Sequence, residues 1–441
     1  MFFILLLFYF IILSVWLIKW KWIKHSGIKS LVIIALFAFK ALTGFALVYL
    51  YGHFYDPKQS DIYIYFNDAL HLKNLYLNQP NIFWNILLGH NINMSEVHEQ
   101  YIKLRYWDSS SIDFLIHEKR IVILLNVLFG FISASNIYIH SLFMSFIGFL
   151  GQLAIFRFVK RQSQINPILI LLVTFLLPTF ILWSSSILKE PLIIFSIGFL
   201  LFFIGKWVKN WKLIYLVSSI PFFILAFLIK PYVLLALCFP IFIFILFKSK
   251  ENFNFKKQSL IVLGSSIILI FTFWLLTFTH FNLFEKLSQK QNAFYETINL
   301  SEQSQKVGSQ IEINKLYPSL SSLIYNTPKA FSNVMFKPGL YNFTNPLYLP
   351  DLFQNLLILI IALMLIFKYR IPKKEEFPFI WLSLLFVLIL YITIGLVTPI
   401  LGAIVRYKIP ALIFVFFFLL SFLRNDFTSR KVLKYIFYSS N

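Results

Sequence analysis

Residues 30–51 read SLVIIALFAFKALTGFALVYLY, and a short way on residues 61–68 read DIYIYFND. The first stretch is apolar over the roughly 20 residues that an α-helix needs to cross the hydrocarbon of a bilayer, with one ammonium, Lys40, near its middle. The second opens on one carboxylate, Asp61, and closes on another, Asp68. Acids set just beyond a membrane helix point to chemistry at the bilayer surface.

The rest of the chain has the same character. Of 441 residues 59% are hydrophobic, 54 are Phe and only 13% are charged, a composition that excludes a soluble domain. It predicts an all-α fold, a polytopic transmembrane helical bundle forming a single integral-membrane domain over 1–441. About eleven segments approach the length of a span: 2–18, 30–51, 137–158, 167–184, 188–206, 212–229, 231–247, 258–278, 351–367, 377–400 and 408–423. The first has no basic region before it and no small-residue cleavage site after it, so it is read as a retained helix.

The formal charge of +21 sits in small clusters between apolar segments, as topology signals do, so no nucleic-acid partner is expected. Clusters begin at Lys19, Arg157, Lys206, Lys248, Lys368 and Arg424, after every second segment. Basic residues stay on the cytoplasmic side, which puts the N-terminus outside and the C-terminus inside. Two long loops, 52–120 and 279–350, then face outward. The first carries amphipathic stretches around Ile82, Phe83, Trp84, Ile86 and Leu87 that suit interfacial helices. In the second, the Gln- and Ser-rich stretch Ser288 to Glu312 reads as mobile, and the proline- and aromatic-rich end as ordered near the bilayer. The short apolar run Ile121 to Phe131 reads as an interfacial or re-entrant helix.

Charges that break the topology pattern carry the information. Short outward turns should be poor in cations, yet Lys189-Glu190-Pro191, Lys230-Pro231-Tyr232 and Arg406-Tyr407-Lys408 all place them there, and Lys337-Pro338 adds a fourth site. Each alone is explained by snorkelling to headgroup phosphate. Together, Lys189, Lys230, Lys337 and Arg406 would hold a phosphate or diphosphate, Arg406 through a bidentate fork and the lysines as point charges. Glu190 would pair with a cation or orient an acceptor hydroxyl, while Tyr232 and Tyr407 support the same turns. Lys40, costly in mid-span, must face the protein interior or a wet cavity.

Asp61 and Asp68 are seven apart, so on a helix they share a face. Either is a candidate to deprotonate a hydroxyl, or to hold a divalent cation through its oxygens if the other comes near. No other metal site is expected: His98 and Glu99 are adjacent rather than helix-spaced, and Cys238 is the one cysteine. A Gly-rich phosphate loop and a nucleophile elbow are both missing. No internal repeat is visible, which argues against transporters built from two related halves.

The layout resembles the GT-C class of integral-membrane glycosyltransferases. The likeness rests on an outward-running helix (30–51), acids soon after it (Asp61, Asp68), interfacial helices in that loop, many short spans and a second large outer loop. The turns Trp183 to Pro191 and Arg406 to Pro410 also look like those of bacterial envelope-polysaccharide membrane proteins. The acids are separated by six residues rather than forming a tight motif, which leaves the base open between them. The resemblance implies transfer of a sugar from a polyprenyl-phosphate-linked saccharide to an acceptor saccharide or lipid, at the outer face of a bacterial cytoplasmic (inner) membrane. Asp61 or Asp68 would activate the acceptor, and Lys189, Lys230, Lys337 and Arg406 would stabilise the departing phosphate. The alternatives are an O-antigen-polymerase-type protein joining lipid-linked oligosaccharides, and a flippase or transporter of them.

Overall fold

A computed structural model describes residues 2–107, 118–249, 255–275, 282–302, 310–339, 346–424 and 435–438. The middle of the basic cluster that begins at Lys248 and most of the one that begins at Arg424 lie outside these. Twenty α-helices, and no strand, occur among the described residues. The first half holds α1 (Phe2–Lys19), the single turn α2 (Lys21–Lys24), α3 (Ser30–His53), α4 (Asp61–Asn78), α5 (Pro80–Leu88), α6 (Ser95–Tyr101), α7 (Glu118–Gly130), α8 (Ile137–Gln162), α9 (Pro167–Leu176) and α10 (Pro178–Trp183). The second holds α11 (Lys189–Asn210), α12 (Leu213–Ile229), α13 (Pro231–Ser249), α14 (Phe255–Leu275), α15 (Leu283–Glu302), α16 (Leu320–Phe336), α17 (Leu349–Phe367), α18 (Phe377–Val397), α19 (Leu401–Tyr407) and α20 (Ile409–Ser421).

Eight of these helices are long and apolar enough to cross a membrane: α1, α3, α8, α11, α13, α14, α17 and α18. The pair α19 and α20, bent by 64° at Lys408, makes a ninth if it is one span. Three of the eleven expected segments therefore take a shorter or broken form. Segment 167–184 is cut where Pro178 forces Leu177 into an extended conformation, so α9 and α10 replace one long helix. Segment 212–229 forms α12, shorter than the others, and segment 408–423 supplies only the second arm of the bent pair.

Proline and side-chain caps fix the helix starts. Asn136 accepts hydrogen bonds from the first amides of α8, Asn166 does so for α9, and proline occupies the first turn of α5, α9, α10, α17, α18 and α20. One stretch departs from the sequence reading. Ser288 to Glu302, expected to be mobile, is helical in α15, and Glu312 lies in a described segment beyond the undescribed 303–309. Gln291 is the reason: buried, it donates to the carbonyls of Leu396 and Asn314 and accepts from the amide of Leu316, docking α15 on α18.

The bundle centres on α8 and α11, whose faces are almost wholly enclosed. They meet at glycines: a Cβ added to Gly198 would lie 2.3 Å from the Gly151 carbonyl oxygen. Without a hydrophobic drive between helices in lipid, such backbone approach supplies the packing energy. Helices α1, α14 and α17 lie at the periphery, with most of their side chains outward.

Charge sorts to two ends of this bundle. At one end Arg157 donates to the Trp22 carbonyl at 2.6 Å, Lys160 to the Ser26 carbonyl at 3.0 Å, Lys206 lies over Phe202, and Lys248 reaches the Glu375 carbonyl. Arg370 and Glu376 pair there at 2.7 Å, and Glu376 also accepts from the Gln164 amide. The opposite end gathers the C-terminus of α3, the start of α4, the start of α11, the junction of α12 with α13, and α19.

Replacing Gly198 with Val should lower the thermal midpoint in detergent, at a cost of about 1–3 kcal/mol from overpacking. Gly264→Val, where a new Cβ meets nothing within 4 Å, should leave it unchanged. Equal effects at the two sites would contradict the glycine contact.

Candidate functional site

The charged end is built from helix junctions. Pro231 keeps Lys230 out of the helical conformation, which ends α12 and starts α13. Leu188 is extended, so α11 begins at Lys189 with Glu190 in its first turn. The break at Lys408, followed by Pro410, leaves Arg406 at the tip of α19. Each break exposes backbone groups and turns a charged side chain inward.

Arg406 is the hub. Its Nη1 donates to Asp61 Oδ2 at 2.6 Å, and its Nε lies 3.6 Å from Glu190 Oε1. Lys230 reaches the same Glu190 oxygen at 3.0 Å, both side chains being almost fully buried. Tyr106 donates its phenolic hydrogen to Asp61 Oδ1. Beside this group Lys189 pairs with Glu118 at 2.6 Å. The guanidinium of Arg406 stacks over Trp183 and the ammonium of Lys230 over Tyr407, each at 5.4 Å. Glu190 Oε2 takes no hydrogen bond from any described group.

Burial alone would raise the pKa of Asp61, but Arg406 and the Tyr106 hydrogen bond outweigh it and hold the carboxyl below its ordinary value. Burial also opposes ionisation of Glu118, and Lys189 reverses that to a lowered pKa. For Tyr106, burial and the nearby Asp61 charge both push the phenol up, so it remains a hydrogen-bond donor. The site therefore holds ionised carboxylates against cations at neutral pH.

These groups surround one cavity of about 990 Å³. Asp61, Lys189, Glu190, Lys230, Tyr232, Arg406 and Tyr407 all line it, drawn from α4, α11, the α12–α13 junction and α19. Apolar side chains line it as well: Phe227 and Leu228 of α12, Leu287 and Phe294 of α15, and Ile394 and Val397 of α18. A charged head and an apolar flank suit an anionic amphiphile.

Three expected residues lie away from the cavity. Asp68 does share a helix face with Asp61, but seven residues advance about 10.5 Å along the axis. It accepts from the amides of Arg105 and Tyr106 at 3.2 and 2.8 Å, and so fixes the segment that delivers Tyr106. Burial raises its pKa against those two amides. The oxygens of the two acids are thus taken by different partners. No group of three or more metal-ligating side chains occurs among the described residues. Lys337 stands after α16, off the cavity, where its carbonyl accepts from Lys408 at 3.2 Å.

Lys40 is enclosed in the bundle rather than set in a wet cavity. Its ammonium donates to the Ser184 carbonyl at 2.6 Å and to the hydroxyls of Ser184 and Ser185 at 2.7 and 3.2 Å. Ser145 donates to the Ser185 carbonyl at 2.5 Å, and Gly44 lets that carbonyl close on α3, where a Cβ would meet it at 1.9 Å. This polar lining fixes the irregular turn 184–188 ahead of α11, and thereby the direction of Lys189 and Glu190. A hydrogen-bonded line of Ser133, His140 and Asn126 has the order of a nucleophile triad, but all three are fully buried and none lines the cavity.

The cavity also takes in Tyr106, Glu118, Lys119, Lys286 and Lys290, which sequence reasoning did not assign. The spacing of Lys286 and Lys290, four apart on α15 with Leu287 and Phe294, was the one readable signal. Glu118 carries none. No family model matches the chain, and neither a curated protein nor a solved structure matches it.

Because the folded pKa of Asp61 lies below the ordinary value near ~4, its pairing stabilises the protein above that value and is lost as pH falls through the lower one. The midpoint difference between the native protein and Asp61→Asn should be constant from about pH 5 to 8 and close below about pH 4. A difference that persists at acid pH would contradict the ion pair.

Proposed function

We propose that this chain is a GT-C-type glycosyltransferase of the bacterial cytoplasmic membrane, with about eleven crossings, an outer N-terminus and its charged cavity facing outward. It would move a sugar from a polyprenyl-phosphate carrier to an acceptor saccharide or lipid. The observation that carries this reading is the single cavity that combines an ionised carboxylate, three converging cations and an apolar flank.

In the proposed reaction the carrier tail stays against Phe227, Leu287 and Ile394, and its phosphate rests among Arg406, Lys230 and Lys189. The acceptor hydroxyl attacks the anomeric carbon while the bond from that carbon to the phosphate oxygen breaks. The bonding pair leaves on the phosphate, and the hydroxyl proton passes to Asp61. Charge growing on the leaving phosphate is met by cations that are already fixed in place, which lowers the barrier. A phosphate that draws Arg406 toward itself would also release Asp61 Oδ2 to take the proton.

The polymerase-type reading is favoured by one specific observation: both oxygens of Asp61 are already engaged, by Arg406 and Tyr106. A cation-driven reaction would need no free base. Transfer from a lipid-linked donor, measured in proteoliposomes, separates the two. The transferase reading expects Arg406→Ala and Asp61→Ala each to lose about 10²-fold or more in rate. Activity that survives Asp61→Ala but not Arg406→Ala would favour the polymerase, and full activity in both variants would overturn the site.

A further inference from the structure

Six cationic side chains line the cavity against three carboxylates. The three carboxylates are used by Arg406, Lys230 and Lys189. Of the remaining three lysines, Lys286 has a partner of its own, and Lys119 and Lys290 stand apart from those pairs. Lys119, in the first turn of α7, lies over the Tyr106 ring at 4.3 Å. Lys290, exposed on α15, lies over Phe294 at 5.8 Å and helps to lower the pKa of Glu118 across the cavity. Among the described residues, neither has a carboxylate oxygen within 4 Å. Cations that line one cleft without a carboxylate partner among the described residues repel each other, and together they attract an anion.

We infer that Lys119 and Lys290 form a second anion subsite on the more exposed side of the cavity, so that its ligand carries two anionic groups. One group rests on the inner set of Arg406, Lys230 and Lys189. The other, held by Lys119 and Lys290, is either the second phosphate of a lipid diphosphate or a carboxylate on the saccharide of a lipid monophosphate. Because the inner cations are neutralised by their carboxylates and the outer two have no such partner among the described residues, the outer pair contributes charge selectivity. This inference rests on the reading of the cavity as a lipid-phosphate site.

The test is binding of three probes to purified full-length protein in nanodiscs: farnesyl phosphate, farnesyl diphosphate and a farnesyl phosphate carrying a glucuronosyl group. In the double variant Lys119→Gln with Lys290→Gln, binding of the monophosphate should stay within about threefold, and that of at least one two-anion probe should weaken about tenfold. The diphosphate as the sensitive probe assigns the second group to phosphate, and the glucuronosyl compound assigns it to the sugar. Weakening of all three alike, or of none, overturns the subsite. Arg406→Ala separates this from the underlying reading: if it leaves all three probes unaffected, the lipid-phosphate site itself is rejected, whatever the lysine variant does.

Discussion

One guanidinium joins three parts of the chain that are remote in sequence. Arg406 binds Asp61 at 2.6 Å and approaches Glu190 at 3.6 Å, so the tip of α19 is tied to the starts of α4 and α11. Arginine suits this place because its planar fork can serve two carboxylates at once and stays charged when partly desolvated. Lys230 adds the α12–α13 junction through Glu190. Removing one partner of that enclosed pair would strand a charge, at a cost of about 3–5 kcal/mol. These junctions and their ion pairs form the charged part of the cavity lining.

A second buried pair supports the first. Lys408, at the 64° bend between α19 and α20, meets Asp351 of α17 at 3.1 Å, both side chains being enclosed. Lys408 also caps the C-terminus of α16 through the Lys337 carbonyl. The bend is thereby anchored from two sides, and Arg406 two residues earlier is aimed at the cavity. Lys40 plays the corresponding part for the turn before α11. Ionisable groups inside the bundle are therefore divided between those that line the cavity and those that hold its walls.

The fold class was legible because its signal is compositional: long apolar runs leave few options other than membrane-scale helices. Helix breaks were less so, since Pro178 divides a run, 167–184, that hydropathy alone joins. Within the site, the misplaced cations Lys189, Lys230 and Arg406 and the acids Asp61 and Glu190 stood out because each broke a rule of charge placement. Lys40 broke the same rule while making buried structural contacts, and sequence cannot separate the two cases because partners such as Ser184 lie far along the chain. Asp68 shares a helix face with Asp61, but two turns separate them and Asp68 is held by the Arg105 and Tyr106 amides, partners that its spacing from Asp61 does not reveal. Glu118 and Lys119 were hidden because nothing local marks the start of α7 as a cavity wall.

A double-mutant cycle on Asp61→Asn and Arg406→Gln tests the account most directly, through thermal midpoints of the purified protein at neutral pH. The account predicts strong coupling: the double variant should be no less stable than the weaker single variant, with an interaction of about 1 kcal/mol or more. Losses that add within about 0.3–0.5 kcal/mol would show that the two residues do not touch, and would contradict the convergence on which the cavity depends.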